Sequence, residues 1–205
     1  MTQITNGLRS ILSSPIVYSL FQGLMGAHKA RTLFTKNFIR PFSGMKILDI
    51  GCGPAEILNY MNEVEYYGFD VSNEYIKKAK SIFGDRGNFY CKEFELTDLE
   101  NIPKVDIVLA IGLLHHLDDD ILINMLHLAF SALKPGGRLI TLDPCFVKNQ
   151  NPIAKFLITQ DRGRNVRTEK GYTELVSQVF SSYKIQIKHK KWIPYTHCIT
   201  ESFKN

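Results

Sequence analysis

ILDIGCGPAEIL at residues 47–58, followed by YYGFD at 66–70, decides how this chain is read. Ile47, Leu48 and Ile50 make a short apolar strand. Gly51 and Gly53 make a tight turn, and Ala55 to Leu58 open a helix. A strand that feeds a glycine-rich turn at a helix N-terminus is a cradle shaped for a nucleotide. Asp70 closes a second strand about 20 residues after Asp49, the spacing expected of a carboxylate that grips ribose hydroxyls. The pattern predicts an adenosine-containing ligand.

The carboxylates say which one. A dinucleotide fingerprint needs a third glycine where Glu56 stands, and Asp49 lies just before the turn. Both acids oppose a pyrophosphate. They suit a cationic ligand without phosphate, and S-adenosylmethionine carries a sulfonium and an ammonium. Asp49-Ile50-Gly51-Cys52-Gly53-Pro54-Ala55 resembles the first motif of the class I S-adenosylmethionine-dependent methyltransferases, (D/E)-x-G-x-G-x-G, with Ala55 in place of the last glycine. The resemblance continues through FDVSNEYIKKAK (69–80), VDIVLAIGLLHHL (105–117) and LKPGGRLITLDP (133–144), and so spans roughly residues 44–144. Four ordered segments are far more specific than one glycine-rich turn. Within that class the chain is similar to the small-molecule, ubiquinone-biosynthesis-like group.

The resemblance implies S-adenosylmethionine as cofactor and S-adenosylhomocysteine as product. It places Asp49 on the methionine amine side, Gly51, Cys52 and Gly53 against the cofactor backbone, and Asp70 on the ribose. Val71, Glu93 and Phe94 lie near the adenine, and Ala110 and Ile111 near the methionine portion. The third strand lacks the frequent Gly-Asp-Ala of the family, which weakens the Glu93–Phe94 assignment. It also implies a Rossmann-like, seven-stranded, mostly parallel α/β sheet with helices on both faces and an antiparallel last strand.

The residues alone give the same organisation. Short apolar runs near 46–50, 65–69, 88–92, 105–110 and 137–142 alternate with helical patterns at 54–61, 73–82 and 119–133, which implies a parallel sheet. KIQIKHK (184–190) and YTHCIT (195–200) alternate polar and apolar residues around Pro194, as an edge hairpin does. The 205 residues read as one domain: an N-terminal helical lid (1–44), a cofactor-binding core (45–142), a lid insertion (143–172), and a last helix with edge strands (173–205). Two helices are expected within 5–40, and another over 151–160. The segment 15–27 is amphipathic and too short to span a bilayer, and it lacks the flanks of a signal peptide.

Three groups of side chains are candidates for chemistry. His115, His116 and Asp143 follow the fourth and fifth strands; an imidazole there is either a general base or a packing element. Asp118 to Asp120 read as acids of a helix start rather than as metal ligands, so no metal is expected. Tyr18, Gln22, Arg162, Arg164, Tyr195 and His197 are candidates for the acceptor side, and the arginine forks suit an anionic substrate.

Net charge is +5 without a basic block, so a nucleic-acid partner is not indicated. The four cysteines are scattered, which fits a reducing cytoplasm. The predicted function is methyl transfer to a small molecule, on oxygen, nitrogen or carbon. An RNA methyltransferase and an inactive cofactor-binding module are the alternatives. The sequence leaves the acceptor, the pathway and the oligomeric state open.

Overall fold

The computed structural model describes residues 27–161, 163–190 and 195–205. The expected lid helix at 15–27, with Tyr18 and Gln22, and the candidate Arg162 lie outside the described residues, apart from Ala27.

The first described helix, α1 (Ala27–Phe34), runs into a π-turn (Thr35–Ile39) that ends on a left-handed Arg40. Eight strands follow: β1 (Lys46–Ile50), β2 (Glu65–Phe69), β3 (Asn88–Tyr90), β4 (Val105–Ile111), β5 (Leu133–Phe146), β6 (Arg167–Thr168), β7 (Ser182–Lys190) and β8 (Tyr195–Phe203). Between them lie α2 (Asn73–Phe83), α3 (Asp119–Ala132), α4 (Pro152–Thr159) and α5 (Glu169–Val176). The sheet runs β3-β2-β1-β4-β5-β8-β7, and β6 pairs with the far end of β5. β1 to β5 are mutually parallel, and β8 is antiparallel to both β5 and β7.

The strands explain themselves. Ile47, Leu48 and Ile50 are all buried, because a parallel strand is covered on both faces. Leu48 and Ile50 pack with Leu122, Leu126 and Ala129 of α3, while Ile47 packs on the opposite side with Ile76, Ala79 and Phe83 of α2. α2 starts at Ser72, whose hydroxyl accepts the Tyr75 N–H. The strand order reverses between β1 and β4. A crevice therefore opens at their carboxyl ends, where open α/β sheets bind ligands.

Two elements differ from the sequence reading. The helix expected over 54–61 is a short 3-10 turn, Glu56–Tyr60, because Ala55 before it has φ +54, which no right-handed helix admits. β5 begins at Leu133, before the Pro135-Gly136-Gly137 stretch, and a register shift near Val105 and Ile107 of β4 accommodates it. The insertion after β5 forms α4, as expected, and no described helix is long and apolar enough to cross a membrane.

A carboxylate fastens the chain leading into β1 to the far side of the sheet. Glu201 on β8 is buried and accepts from Arg40 and from Arg138, and Arg138 also donates to the Ile39 carbonyl at 2.6 Å. Removing it strands two guanidinium groups, one of them largely buried. Glu201→Ala is expected to cost about 3 kcal/mol, read as a lower urea midpoint with an unchanged slope. Glu201→Gln should retain part of that stability.

Candidate active site

The cradle is built from the ends of three strands. After β1, Gly51 and Gly53 adopt φ +73 and +54. The Gly51 and Cys52 N–H groups both donate to the Phe69 carbonyl at the end of β2. A side chain on Gly53 would meet nothing within 4 Å, so the turn presents bare backbone to open space. Gly68 has the opposite reason: a Cβ there would lie 2.9 Å from both the Cys52 sulfur and the Tyr66 ring. β2 passes this close to the turn only because residue 68 has no side chain.

Asp70 binds the cradle together. One carboxylate oxygen accepts the Gly53 N–H at 2.9 Å, and the other accepts the Ser72 N–H at 2.8 Å. Ser72 caps α2, so Asp70 is not spent on the helix. Its half-buried carboxylate has acceptor capacity beyond those two bonds.

Asp49 is buried at the end of β1. The Tyr66 hydroxyl donates to its Oδ2 at 2.5 Å, while Oδ1 has no partner among the described residues. Burial pushes its pKa up to about 7, with the Tyr66 hydrogen bond working against that rise and Asp70 adding to it. Burial and the charge of Asp49 also push the Cys52 thiol up, so it is no nucleophile. Val71 stands 47% exposed beside the cradle. Glu93 is exposed, whereas Phe94 is buried edge-on against Phe69, so its ring belongs to the core. Ala110 and Ile111 end β4, and Gly112 turns away with φ +69, donating to the Leu142 carbonyl.

His115 lies next in space and chain. Its Nδ1–H donates to Asp143 at 2.7 Å, and its backbone N–H reaches the same oxygen. Nε2 faces Asp161 at 3.1 Å. A carboxylate on each ring nitrogen requires both nitrogens to carry protons. Burial opposes that charge, but the bonds to Asp143 and Asp161 outweigh it and lift the pKa to about 9. Burial also works on Asp161, yet His115, the Gly163 N–H and the Tyr195 hydroxyl hold its carboxyl well below the usual range. His116 packs on His115 with ring centroids 4.1 Å apart and the planes tilted by 38°.

Donor atoms of His115, His116 and Asp161 lie within 4.8 Å of one another, and the direct His115–Asp161 ion pair joins two of them. Tyr195 donates to Asp161 at 2.7 Å, and His197 packs against the Tyr195 ring. The structure thus brings His115, His116, Asp143, Tyr195 and His197 together. Arg164 stays exposed in a surface recess with Asp119, Asn165 and Glu174.

Two residues were invisible to the sequence reading. Tyr66 reads as an ordinary strand residue until the register sets β2 beside β1. Asp161 carries no signal at all, since its partners lie on β8 and after β4.

A glycine turn at a topological switch point, a carboxylate just after β2 and a buried acid at the end of β1 together line the ligand crevice of an open α/β sheet. Residues 41–201 match the methyltransferase-domain family. The chain belongs to that family and has the class I, S-adenosylmethionine-dependent fold. Bovine mitochondrial ubiquinone biosynthesis O-methyltransferase is 29% identical over 117 residues, which cover 53% of this chain and 31% of that protein. Its counterpart from Idiomarina loihiensis is 27% identical over 124 residues, 58% of this chain and 50% of that one. The chain thus spans half or less of these relatives. Human N-acetylserotonin methyltransferase, solved with S-adenosylmethionine, shares the fold with a TM-score of 0.64 at 18% identity, over 98% of this chain and 60% of that one.

The His115 ion pairs carry a pH signature. His115 titrates near 6.5 when unfolded and near 9 when folded. Its stabilisation is therefore complete below about pH 6.5 and lost as pH rises through about 9, a total of about 3 kcal/mol. Denaturation midpoints should fall across that window, and His115→Gln should remove the slope there.

Proposed function

We propose that this domain methylates a hydroxyl oxygen of a small molecule, with the His115 imidazolium as the group that receives the acceptor's oxygen. The observation that carries this reading is the Asp143–His115 pair at the mouth of the β4 turn, beside the cradle. Asp143 fixes the ring through Nδ1, which leaves Nε2 as the one nitrogen a substrate can address. The curated relatives are O-methyltransferases, which supports oxygen as the accepting atom.

The chain's residues fit the cofactor. The unpartnered Asp49 Oδ1 suits its ammonium, the Gly51–Gly53 backbone admits it closely, and Asp70 receives the ribose hydroxyls. Val71 flanks the adenine from one side, with Glu93 and the backbone at Phe94 near its edge. The backbone at Ala110 and Ile111 borders the methionine portion. When bound, S-adenosylmethionine supplies an electrophilic methyl whose bond to sulfur breaks, the electron pair staying on sulfur, as the acceptor's oxygen bonds to carbon. The protein's part is alignment, exclusion of water and a hydrogen bond from the His115 imidazolium to the acceptor's oxygen. His116 packs against the His115 ring at a tilt and steadies it. Tyr195 and His197 border the acceptor side, and Arg164 is the remaining candidate for an anionic substituent. No metal ion is needed, so turnover should survive a chelator.

Calorimetry with S-adenosylmethionine and S-adenosylhomocysteine, with NAD as control, tests the cofactor site. Micromolar binding of the first two is expected, and Asp70→Ala should weaken it at least tenfold. Normal affinity in that variant would sink the assignment. With labelled methyl donor and a panel of hydroxylated aromatics, His115→Gln should lower turnover by about 10²-fold or more while cofactor affinity holds. Unchanged turnover would remove His115 from the chemistry.

A further inference from the structure

Nε2 of His115 is the atom the reaction needs, and the chain itself covers it. Asp161, just past the end of α4, sets Oδ1 on Nε2 at 3.1 Å and accepts the Tyr195 hydroxyl on Oδ2 at 2.7 Å. The Gly163 N–H donates back to Oδ1 at 3.0 Å. Gly163 lies flat on the imidazole: a Cβ there would fall 2.1 Å from Cδ2 and 2.6 Å from the His115 carbonyl oxygen. His115 is only 5% exposed. A loop with any side chain at 163 could not close this tightly.

We propose that Asp161 stands in for the acceptor's oxygen, and that the acceptor is an acidic hydroxyl compound, phenolic in class, that displaces it from His115 and Tyr195. The inference rests on the reading of His115 given above. Its ground is the donor set. An imidazolium N–H and a phenol O–H converge on one oxygen site, and a carboxylate of the protein already fills it. An amine brings the wrong charge to that site, and an ether or simple alcohol brings none. A phenolate brings a negative oxygen and competes with Asp161 on equal terms.

The charged and titratable groups around His115 agree with this. Asp143 on β5 faces Nδ1, with Cys198 of β8 and the Tyr172 ring of α5 near it; His116 packs on the ring; Tyr195 on β8 reaches it through Asp161. Asp161 is therefore the one acid facing Nε2 among the described residues. The elevated pKa of His115 means that the ring meets the acceptor as a cation.

The exchange balances. The acceptor enters as phenolate onto the imidazolium, so no net proton moves. Methyl transfer forms the oxygen–carbon bond and breaks the sulfur–carbon bond, with its electron pair on sulfur. The proton stays on Nε2. The product is a neutral ether that no longer competes, so Asp161 returns and expels it. Asp161 thereby acts as a specificity-determining residue at both entry and release.

The test uses the whole chain, with chelator present, and 4-nitrophenol as probe against 4-nitroanisole and 4-nitrobenzylamine. Asp161→Ala should bind 4-nitrophenolate about tenfold more tightly than the unaltered protein, with the other two probes unchanged. In Asp161→Asn, imidazole nitrogen shifts in NMR should place the His115 pKa about one unit lower. Gly163→Ala, which pushes the loop off the ring while leaving the residue at 161 unaltered, should reproduce the gain in phenolate affinity and guards against misfolding of the first variant. An unmoved His115 pKa, or a moved one without a gain in phenolate binding, overturns the proposal. A His115→Gln variant with undiminished turnover would instead overturn the proposed role of His115 in transfer, and none of the phenolate measurements depends on that result.

Discussion

The mouth of this fold is held by one carboxylate bonded across a gap. Asp70 ends β2, yet it accepts a hydrogen from the Gly53 backbone, which belongs to the turn after β1. Its other oxygen accepts from Ser72, where α2 begins. One side chain therefore fixes a strand end, a turn and a helix start relative to one another. The Phe69 carbonyl does the complementary part by accepting from Gly51 and Cys52. Backbone amides pointed at open space are useful only if they stay put, and a glycine turn by itself is the least rigid element available. The rest of the cradle inherits its geometry from this clasp. A ligand diol that shares Asp70 with those amides joins a network already oriented.

Around the clasp the site is unusually rich in buried acids, and each is managed differently. Asp49 is left beside a phenol rather than a cation, so burial raises its pKa to about 7. That is a cost for the free protein, and a cationic group bound at Oδ1 would offset it. Asp143 and Asp161 instead share one imidazolium. Breaking such a buried pair leaves an uncompensated charge, which is costlier than the net worth of the pair. The two arrangements divide the site by charge. The end nearest β1 holds a buried acid without a cation among the described residues, and the end nearest β5 and β8 holds an imidazolium.

What was legible in the sequence is what local chemistry dictates. Apolar runs bounded by glycine, proline and acids placed β1, β2 and β4 within a residue, because strands covered on both faces have little compositional freedom. The family motif located the cradle and Asp70. Ala55 was read as a harmless replacement of a small residue. In fact its left-handed backbone ends the glycine turn and shortens the following helix to a 3-10 turn. Size was legible there and conformation was not. Tyr66 and Asp161 act through partners far along the chain, and only strand register or the path of the insertion brings them together. Arg167 reads, with Arg162 and Arg164, as a fork for an anionic substrate, yet it donates to the Leu114 and Leu117 carbonyls and to Asp119.

That arginine explains how an insertion can cover a reactive group and still release it. From Asn165 onward the loop is pinned to the start of α3: Asn165 donates to the His115 carbonyl and to Asp118, Arg167 grips the turn before the helix, and β6 pairs with the end of β5. On the other side α4 seats Ala154 and Ile158 in the body of the protein. Between these anchors lies a short stretch in which Asp161 meets Nε2 of His115 and Gly163 makes the closest approach to the ring. Among the described residues, its polar hold on the body runs through the Asp161 carboxylate, which accepts from His115 and Tyr195 and which an incoming oxygen can replace. Displacement of Asp161 therefore leaves both anchors in place, and the opening is confined to the few residues that face the imidazole. A longer, unanchored insertion would cover the site as well, but the entropy of ordering it would weigh against every closure.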